Sequence, residues 1–263
     1  MIEKHNEILP FSGAIFFQQQ GKTFEQGYGY ANRSEKIQNT SYSRFGIASG
    51  CKIFTSVAIC QLVQDGLLSF DSYLKDCLDI SFPNFDPKIT IHHLLTHSSG
   101  IPDYFDEEFM SDFEELWKVL PMYSIQSPKD FLPMFQNGQM EFYPGERFSY
   151  NNAGFILLGL VVEQITGMEF TDYVEKNIFQ RCGMILLTPH IKDNDQTYYG
   201  YGVWMLVFDN TIFKYFVMGS DPGVIMQSSV YPKSNLQAHI IGNINKGAGM
   251  IASKIDEVIY KEL

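Results

Sequence analysis

The feature that most constrains this fold is the order of its segments. Strand-like runs sit at both ends of the chain, and helix-like runs fill the middle. Near the start, "GAIFFQQ" and "KTFEQGYGY" flank a turn at Gln20-Gly21, which reads as a hairpin. Toward the other end come "YYGYGVWMLVF", a turn at Asp209-Asn210, "TIFKYFVM", a turn through Asp221-Pro222-Gly223, "VIMQSSVY", a turn over Pro232 to Asn235, and "LQAHIIGN". Consecutive strands joined by short turns make an antiparallel sheet. The last segment carries Ile251, Ile255, Val258 and Ile259 at helical spacing, an amphipathic helix suited to lie on that sheet.

In the middle, Ile53, Phe54, Val57, Ala58 and the run from Cys60 to Val63 leave little polar face, so the helix after Ser49 is buried on most sides. "TIHHLLTHSSG" offers Thr90 as N-cap and Gly100 as a stop. "NAGFILLGLVVEQITG" stops at Gly167, and "TDYVEKNIFQRCG" starts at Thr171 and stops at Gly183. The expectation is an α/β fold, an antiparallel sheet flanked by helices with a mostly helical domain inserted. Residues 1–64 and 186–263 would form the first domain and 65–185 the second, with the active site between them. A folded chain of 263 residues buries roughly three quarters of its unfolded surface, so a real core is available.

Charge and apolar runs exclude some partners. With 19 basic against 30 acidic residues the net charge is −11, and no basic block exists to displace counterions from a phosphate backbone. No nucleic-acid partner is expected. The longest apolar run, Ala153 to Val162, ends at Glu163, well short of the ~20 residues of a membrane helix, so no transmembrane segment is expected. Four cysteines without C-x-x-C spacing read as reduced thiols, and "MIEKHNEILP" lacks the apolar stretch of a signal peptide. Both fit a cytoplasmic chain. The oligomeric state is left open.

The chemistry gathers at "ASGCKIFTSVAICQLVQDG". A serine hydroxyl needs a neighbouring base and a site for the developing oxyanion before it attacks a carbonyl. A lysine serves as that base only when its pKa falls well below ~10.4, and burial and the positive end of a helix both push it down. Ser49 and Lys52 stand three residues apart, on one face of a helical turn that opens an apolar run. The backbone N–H groups at a helix start would also help to hold an oxyanion. So short a motif recurs by chance, and Ser72 to Lys75 repeats it in a polar stretch. The bland reading of Ser49 is an N-cap, and of Lys52 a first-turn lysine with its stem on apolar surface.

A second element lies in "FYPGERFSYNNAGF", where Tyr150 and Asn152 stand two apart just before an apolar helix. A phenol beside cationic groups passes protons, and a carboxamide holds a substrate amide. Tyr30 and Asn32 repeat this spacing too.

Together "RFGIASGCKIFTSVAICQLVQDGLLSFD", "ITIHHLLTHSSGIPDY", "FYPGERFSYNNAGFILLGLVVEQITG" and "YVEKNIFQRCGM" resemble the superfamily of serine β-lactamases, penicillin-binding proteins and esterases, in the branch nearest class C β-lactamases. The likeness runs from about Arg44 to Met184, and more loosely through the terminal strands. It implies the β-lactamase/transpeptidase-like fold, with Ser49 as nucleophile, Lys52 as its activating amine and Tyr150 as general base and proton shuttle. It makes Asn152 the contact to a substrate amide, Gly219 the glycine that lets substrate approach the strand, and the N–H groups of Ser49 and Ser220 the oxyanion hole. No cofactor and no metal are implied; the partner is a small-molecule substrate.

Two departures stand out. The family's third motif is Lys-Thr-Gly or His-x-Gly, and the best match here, Val217-Met218-Gly219, has valine in place of the cation or imidazole. Only "ILLTPHIKDNDQT" separates Met184 from the strand returning at Tyr198, where relatives usually carry a longer segment, so one wall of the cleft is expected to be open or rebuilt.

Other features have bland explanations. His93 and His97, four apart, lack the Glu of H-E-x-x-H and any third ligand. Cys51 sits beside the nucleophile but points elsewhere on the helix, and most aromatics fall at core spacing rather than forming a sugar platform. The expected activity is acyl transfer to Ser49, then hydrolysis or transfer of small esters, D-amino-acid amides or peptides, or β-lactams. The alternative is a non-catalytic or slowly deacylating penicillin-binding-like protein, which Val217 and the short segment favour.

Overall fold

The structure is a computed structural model. It describes residues 11–106, 110, 112–179, 190–209, 211–244 and 246–262. The expected stop at Gly183, Cys182, the Gly183-Met184 pair and the first residues after it lie outside the described residues, as do the first ten residues and Asn210.

The chain divides into two compact units, residues 1–51 with 203–263, and residues 52–202. The strands of the first unit are β1 Gly13–Gln19, β2 Lys22–Tyr28, β3 Tyr30–Asn32 and β4 Ile37–Gln38. In the second unit β5 Ile191–Lys192 pairs with β6 Thr197–Tyr199. The first unit resumes with β7 Trp204–Phe208, β8 Thr211–Asp221, β9 Val224–Tyr231 and β10 Leu236–Gly242. Its sheet runs β2-β1-β10-β9-β8-β7, with antiparallel neighbours throughout.

The turns explain that order. Gln20 and Gly21 both take positive φ, +49° and +79°, which matches the twist of a two-residue hairpin between Gln19 and Lys22. Gly223, at φ +80°, closes the β8–β9 turn between Asp221 and Val224. The helix Ala248–Glu262 lies on one face of the sheet. Ile251, Ala252, Ile255 and Ile259 pack there against Phe11, Ile15, Phe213 and Ile240. Val258, expected on that buried face, is exposed. Beneath the helix, Lys214 Nζ bonds Asp256 at 2.7 Å and the Tyr231 hydroxyl donates to the same carboxylate at 2.7 Å, so the buried ammonium is paired.

In the second unit the helices Lys52–Gln64 and Ile91–Leu95 both pack on Asn152–Thr166. Leu62, Leu94, Leu158 and Val161 are buried in that unit. Lys52–Gln64 therefore groups with the helical unit rather than with the sheet, and the division falls at 51/52 and 202/203 instead of 64/65 and 185/186. The Ile91–Leu95 helix has the expected Thr90 cap, closed as a capping box by His93, but it ends well before Gly100. His97 stops it by taking the left-handed conformation, φ +53°. Asn151 caps the long helix and Gly167, at φ +67°, ends it. The segment expected to start at Thr171 begins one residue earlier, as Phe170–Val174, and widens into a π-turn over Glu175–Phe179. Among the described residues no single helix is long and apolar enough to cross a membrane.

Candidate active site

In the first unit stand Ser49, Val217, Gly219 and Ser220. Ser49 lies in a 3-10 turn, Ala48–Cys51, that leads into Lys52–Gln64, rather than capping the helix as a simple N-cap. The turn is tight: Ala48 takes φ +44°, rare for a residue with a Cβ, and the Gly50 N–H donates to the Ile47 carbonyl at 2.9 Å. Strand β8 runs directly against it. A Cβ on Gly219 would stand 2.3 Å from the Ile47 oxygen and 2.8 Å from the Ser49 and Gly50 nitrogens. Only glycine lets the strand approach so closely. From Val217 to Asp221, β8 pairs with β9 but extends past its pairing with β7, which ends at Phe216.

Val217 shares the Gly219 face of β8 because side chains alternate along a strand. Its cross-strand neighbour is Ser228, whose hydroxyl lies 2.6 Å from His239 Nδ1.

In the second unit stand Lys52, Tyr150 and Asn152. Lys52 is buried, 8% exposed, and its Nζ donates to Asn152 Oδ1 at 2.8 Å. The same ammonium stands 5.0 Å from the centre of the Tyr150 ring. The carboxamide is oriented from behind. Asn152 Nδ2 donates to Asp103 Oδ2 at 3.1 Å, and that carboxylate also accepts the backbone N–H groups of Asn152 at 2.7 Å and Ala153 at 2.9 Å. Asp103 thus serves the orphan donors at the helix start, where the helix dipole favours an anion. Burial outweighs these hydrogen bonds and holds its pKa above the ordinary carboxylate value.

Sequence reasoning gave Asp103 no role. It lies within "SSGIPDY", but its partners are some fifty residues away, and only an unmatched carboxylate followed later by an N-cap pattern hinted at it. The rival motifs are engaged locally. Ser72 Oγ accepts the Ser69 N–H, and Asn32 Oδ1 accepts from Ser34 and Glu35. His93 Nδ1 accepts the Thr90 N–H while His97 Nδ1 accepts the Asn151 N–H, so the two rings serve separate backbone contacts. Among the described residues no three His, Cys, Asp or Glu side chains are grouped to hold a metal ion. Cys51 is exposed and forms no disulfide among the described residues.

The arrangement supports proton transfer. A buried amine donates to a carboxamide oxygen at 2.8 Å and has a phenol ring beside it, and it lies three residues along the chain from a hydroxyl in a strained turn. The family model described as "Beta-lactamase" matches residues 11–209. Penicillin-binding protein 4* of Bacillus subtilis is 32% identical over 186 residues, which is 69% of this chain and 38% of that protein. The chain therefore spans well under half of the length of that curated relative. A penicillin binding protein from Bacillus halodurans superposes with TM-score 0.91 at 41% identity, covering 98% of this chain and 100% of that one. The D-amino acid amidase from Ochrobactrum anthropi SV3 shares the fold, with TM-score 0.69 at 16% identity over 94% of this chain and 92% of its own.

Proposed function

The chain belongs to the β-lactamase family of serine hydrolases, and from that premise we propose that it forms an acyl-enzyme on Ser49. The Ser49 Oγ attacks the carbonyl carbon of a small ester, a D-amino-acid amide or peptide, or a β-lactam. Its proton passes to the Lys52–Tyr150 pair as the C–O bond forms. The backbone N–H groups of Ser49 and Ser220 stabilise the oxyanion, helped by the close approach of β8 that Gly219 allows. The tetrahedral intermediate collapses, and the leaving alkoxide or amine takes the proton back. Water, or another acceptor, then attacks the acyl-Ser49 ester by the reverse sequence and frees the serine.

The observation that carries this reading is the buried Lys52 amine held on Asn152 Oδ1 beside Tyr150. A solvated first-turn lysine, the bland alternative, would have no need of a buried acceptor 100 residues away. Val217 favours a second reading on the same site, a chain that acylates and then releases its acyl group slowly. Pre-steady-state mixing with a p-nitrophenyl ester tests both. The proposal expects a burst of about one nitrophenolate per chain, as acyl-enzymes give. Steady turnover after the burst marks a hydrolase and a flat line marks an acyl trap. No burst with any ester, amide or β-lactam would sink both.

A further inference from the structure

Three consecutive residues, Ser149 and the first two of the Tyr-x-Asn motif, are anchored to one histidine. The Ser149 N–H donates to the His97 carbonyl at 2.8 Å. The Tyr150 ring packs on the His97 ring with centroids 4.4 Å apart, tilted 37°. The Asn151 N–H donates to His97 Nδ1 at 3.1 Å. The imidazole is 1% exposed and wedged between Phe155, at 5.0 Å, and Tyr199, at 4.7 Å. Because Nδ1 accepts, the proton of the neutral ring must sit on Nε2, and Nε2 has no hydrogen-bond partner among the described residues. A core that only needed filling would use an apolar ring there. Burying an imidazole with one nitrogen unsatisfied carries a cost, and here the other nitrogen fixes the peptide that joins Tyr150 to Asn151.

We propose that His97 is a positioning residue, a neutral imidazole that holds the Tyr150 phenol and the Asn152 carboxamide in register with Lys52. It rests on the acyl-enzyme reading above. It touches neither substrate nor reacting atoms. Its effect runs through geometry, since a displacement of about 1 Å in a proton-transfer group costs on the order of 10²-fold in rate. Binding of substrate is left to other groups, so the loss belongs in the rate of acylation and not in the half-saturating concentration.

Two substitutions separate the ring from its acceptor atom. His97→Asn keeps a side-chain acceptor and suits the left-handed backbone at φ +53°. His97→Phe keeps the aromatic stack and leaves the Asn151 N–H unsatisfied. The p-nitrophenyl ester burst should slow about 30-fold or more in His97→Phe and less than about 10-fold in His97→Asn. Half-saturation should stay within about 3-fold in both, as for an interaction made only on the way to the transition state. A long-range ¹H–¹⁵N histidine spectrum of the wild-type chain should show His97 protonated on Nε2 alone. Wild-type burst rates in both variants, or a loss confined to half-saturation, overturn the proposal. Should His97→Phe not fold, a wild-type burst in folded His97→Asn overturns it. A wild-type chain with no burst overturns the enzyme reading instead, and a His97 ring protonated on Nδ1 would then still defeat the anchoring.

Discussion

Lys52 Nζ and the side-chain oxygen of Asn152 are joined at 2.8 Å, although 100 residues separate them in the chain. The direction of that bond is set from behind. Asp103 takes the carboxamide NH2, so the oxygen is left to face the ammonium. Protons and charge are thus arranged along a line, carboxylate to amide to amine, wholly within residues 52–202.

Asp103→Ala removes the acceptor for the Asn152 and Ala153 N–H groups and for the Asn152 side chain. Hydrogen bonds to a charged group are worth ~1.5–3 kcal/mol each and are not additive, so about 3 kcal/mol of stability should be lost in urea unfolding. Asp103→Asn keeps the shape and an acceptor oxygen, and should lose less than half of that. A change below about 0.5 kcal/mol in the alanine variant would mean that Asp103 does not hold the helix start.

Gly219→Ala puts a methyl group against backbone atoms of the Ser49 turn at 2.3–2.8 Å. Neither element is the flexible end of a side chain, so the strand or the turn must move. Overpacking of this kind costs about 1–3 kcal/mol. Acylation should fall at least ~10-fold even where the variant stays folded at the assay temperature. An alanine variant acylated at the wild-type rate would show that β8 does not need this approach.

Acid should destabilise the fold through His97. Burial, with the Lys52 charge adding to it, holds its pKa well below 6.5. Above pH 6.5 neither the native nor the unfolded state binds a proton there. Below it the unfolded chain takes one up and the native ring does not, so stability falls with pH at up to about 1.4 kcal/mol per unit. His92, His93, His190 and His239 are lowered by burial as well and add to the trend. In denaturant titrations between pH 6.5 and 5, His97→Asn should give the flatter curve. Equal slopes would place the His97 pKa near its ordinary value.

Val217 offers a methyl surface on the Gly219 face of β8, where the family resemblance would put a cation or imidazole. A hydrogen bond to a charged group is worth ~1.5–3 kcal/mol, or about 10- to 150-fold in rate. The wild-type chain should therefore favour a neutral p-nitrophenyl ester over the carboxylate-bearing nitrocefin in kcat/KM. Val217→Lys and Val217→His should move that ratio toward nitrocefin by about 10-fold or more. A ratio that neither substitution changes would put the missing group elsewhere.

The terminal sheet was readable because its turns have few ways to be built. Gln20, Gly21 and Gly223 sit where positive φ is needed, and the apolar spacing of the runs those turns join has the period of strands. Helix limits and packing partners were less readable. The apolar run after Lys52 marks a buried helix but not which neighbours bury it, so the boundary at 64/65 was misplaced. Val258 has the right spacing yet stands exposed, since helical spacing alone does not say how wide the buried stripe is. In the site, Lys52, Tyr150 and Asn152 carried local signals. Asp103 and His97 did not, because each is defined by a partner some fifty residues away.

The central claim is that Ser49 is the acylated residue. The wild-type chain is incubated with a fluorophosphonate and, separately, with a fluorescent penicillin, then digested with trypsin. The tryptic peptide Phe45–Lys52 holds Ser49 as its single serine, with Cys51 two residues on, and fragment ions separate the two. The account predicts one adduct per chain on Ser49, its loss in Ser49→Ala, and a fall of about 10³-fold or more in any turnover. An adduct on Ser72 or Cys51, or labelling that survives Ser49→Ala, would contradict it.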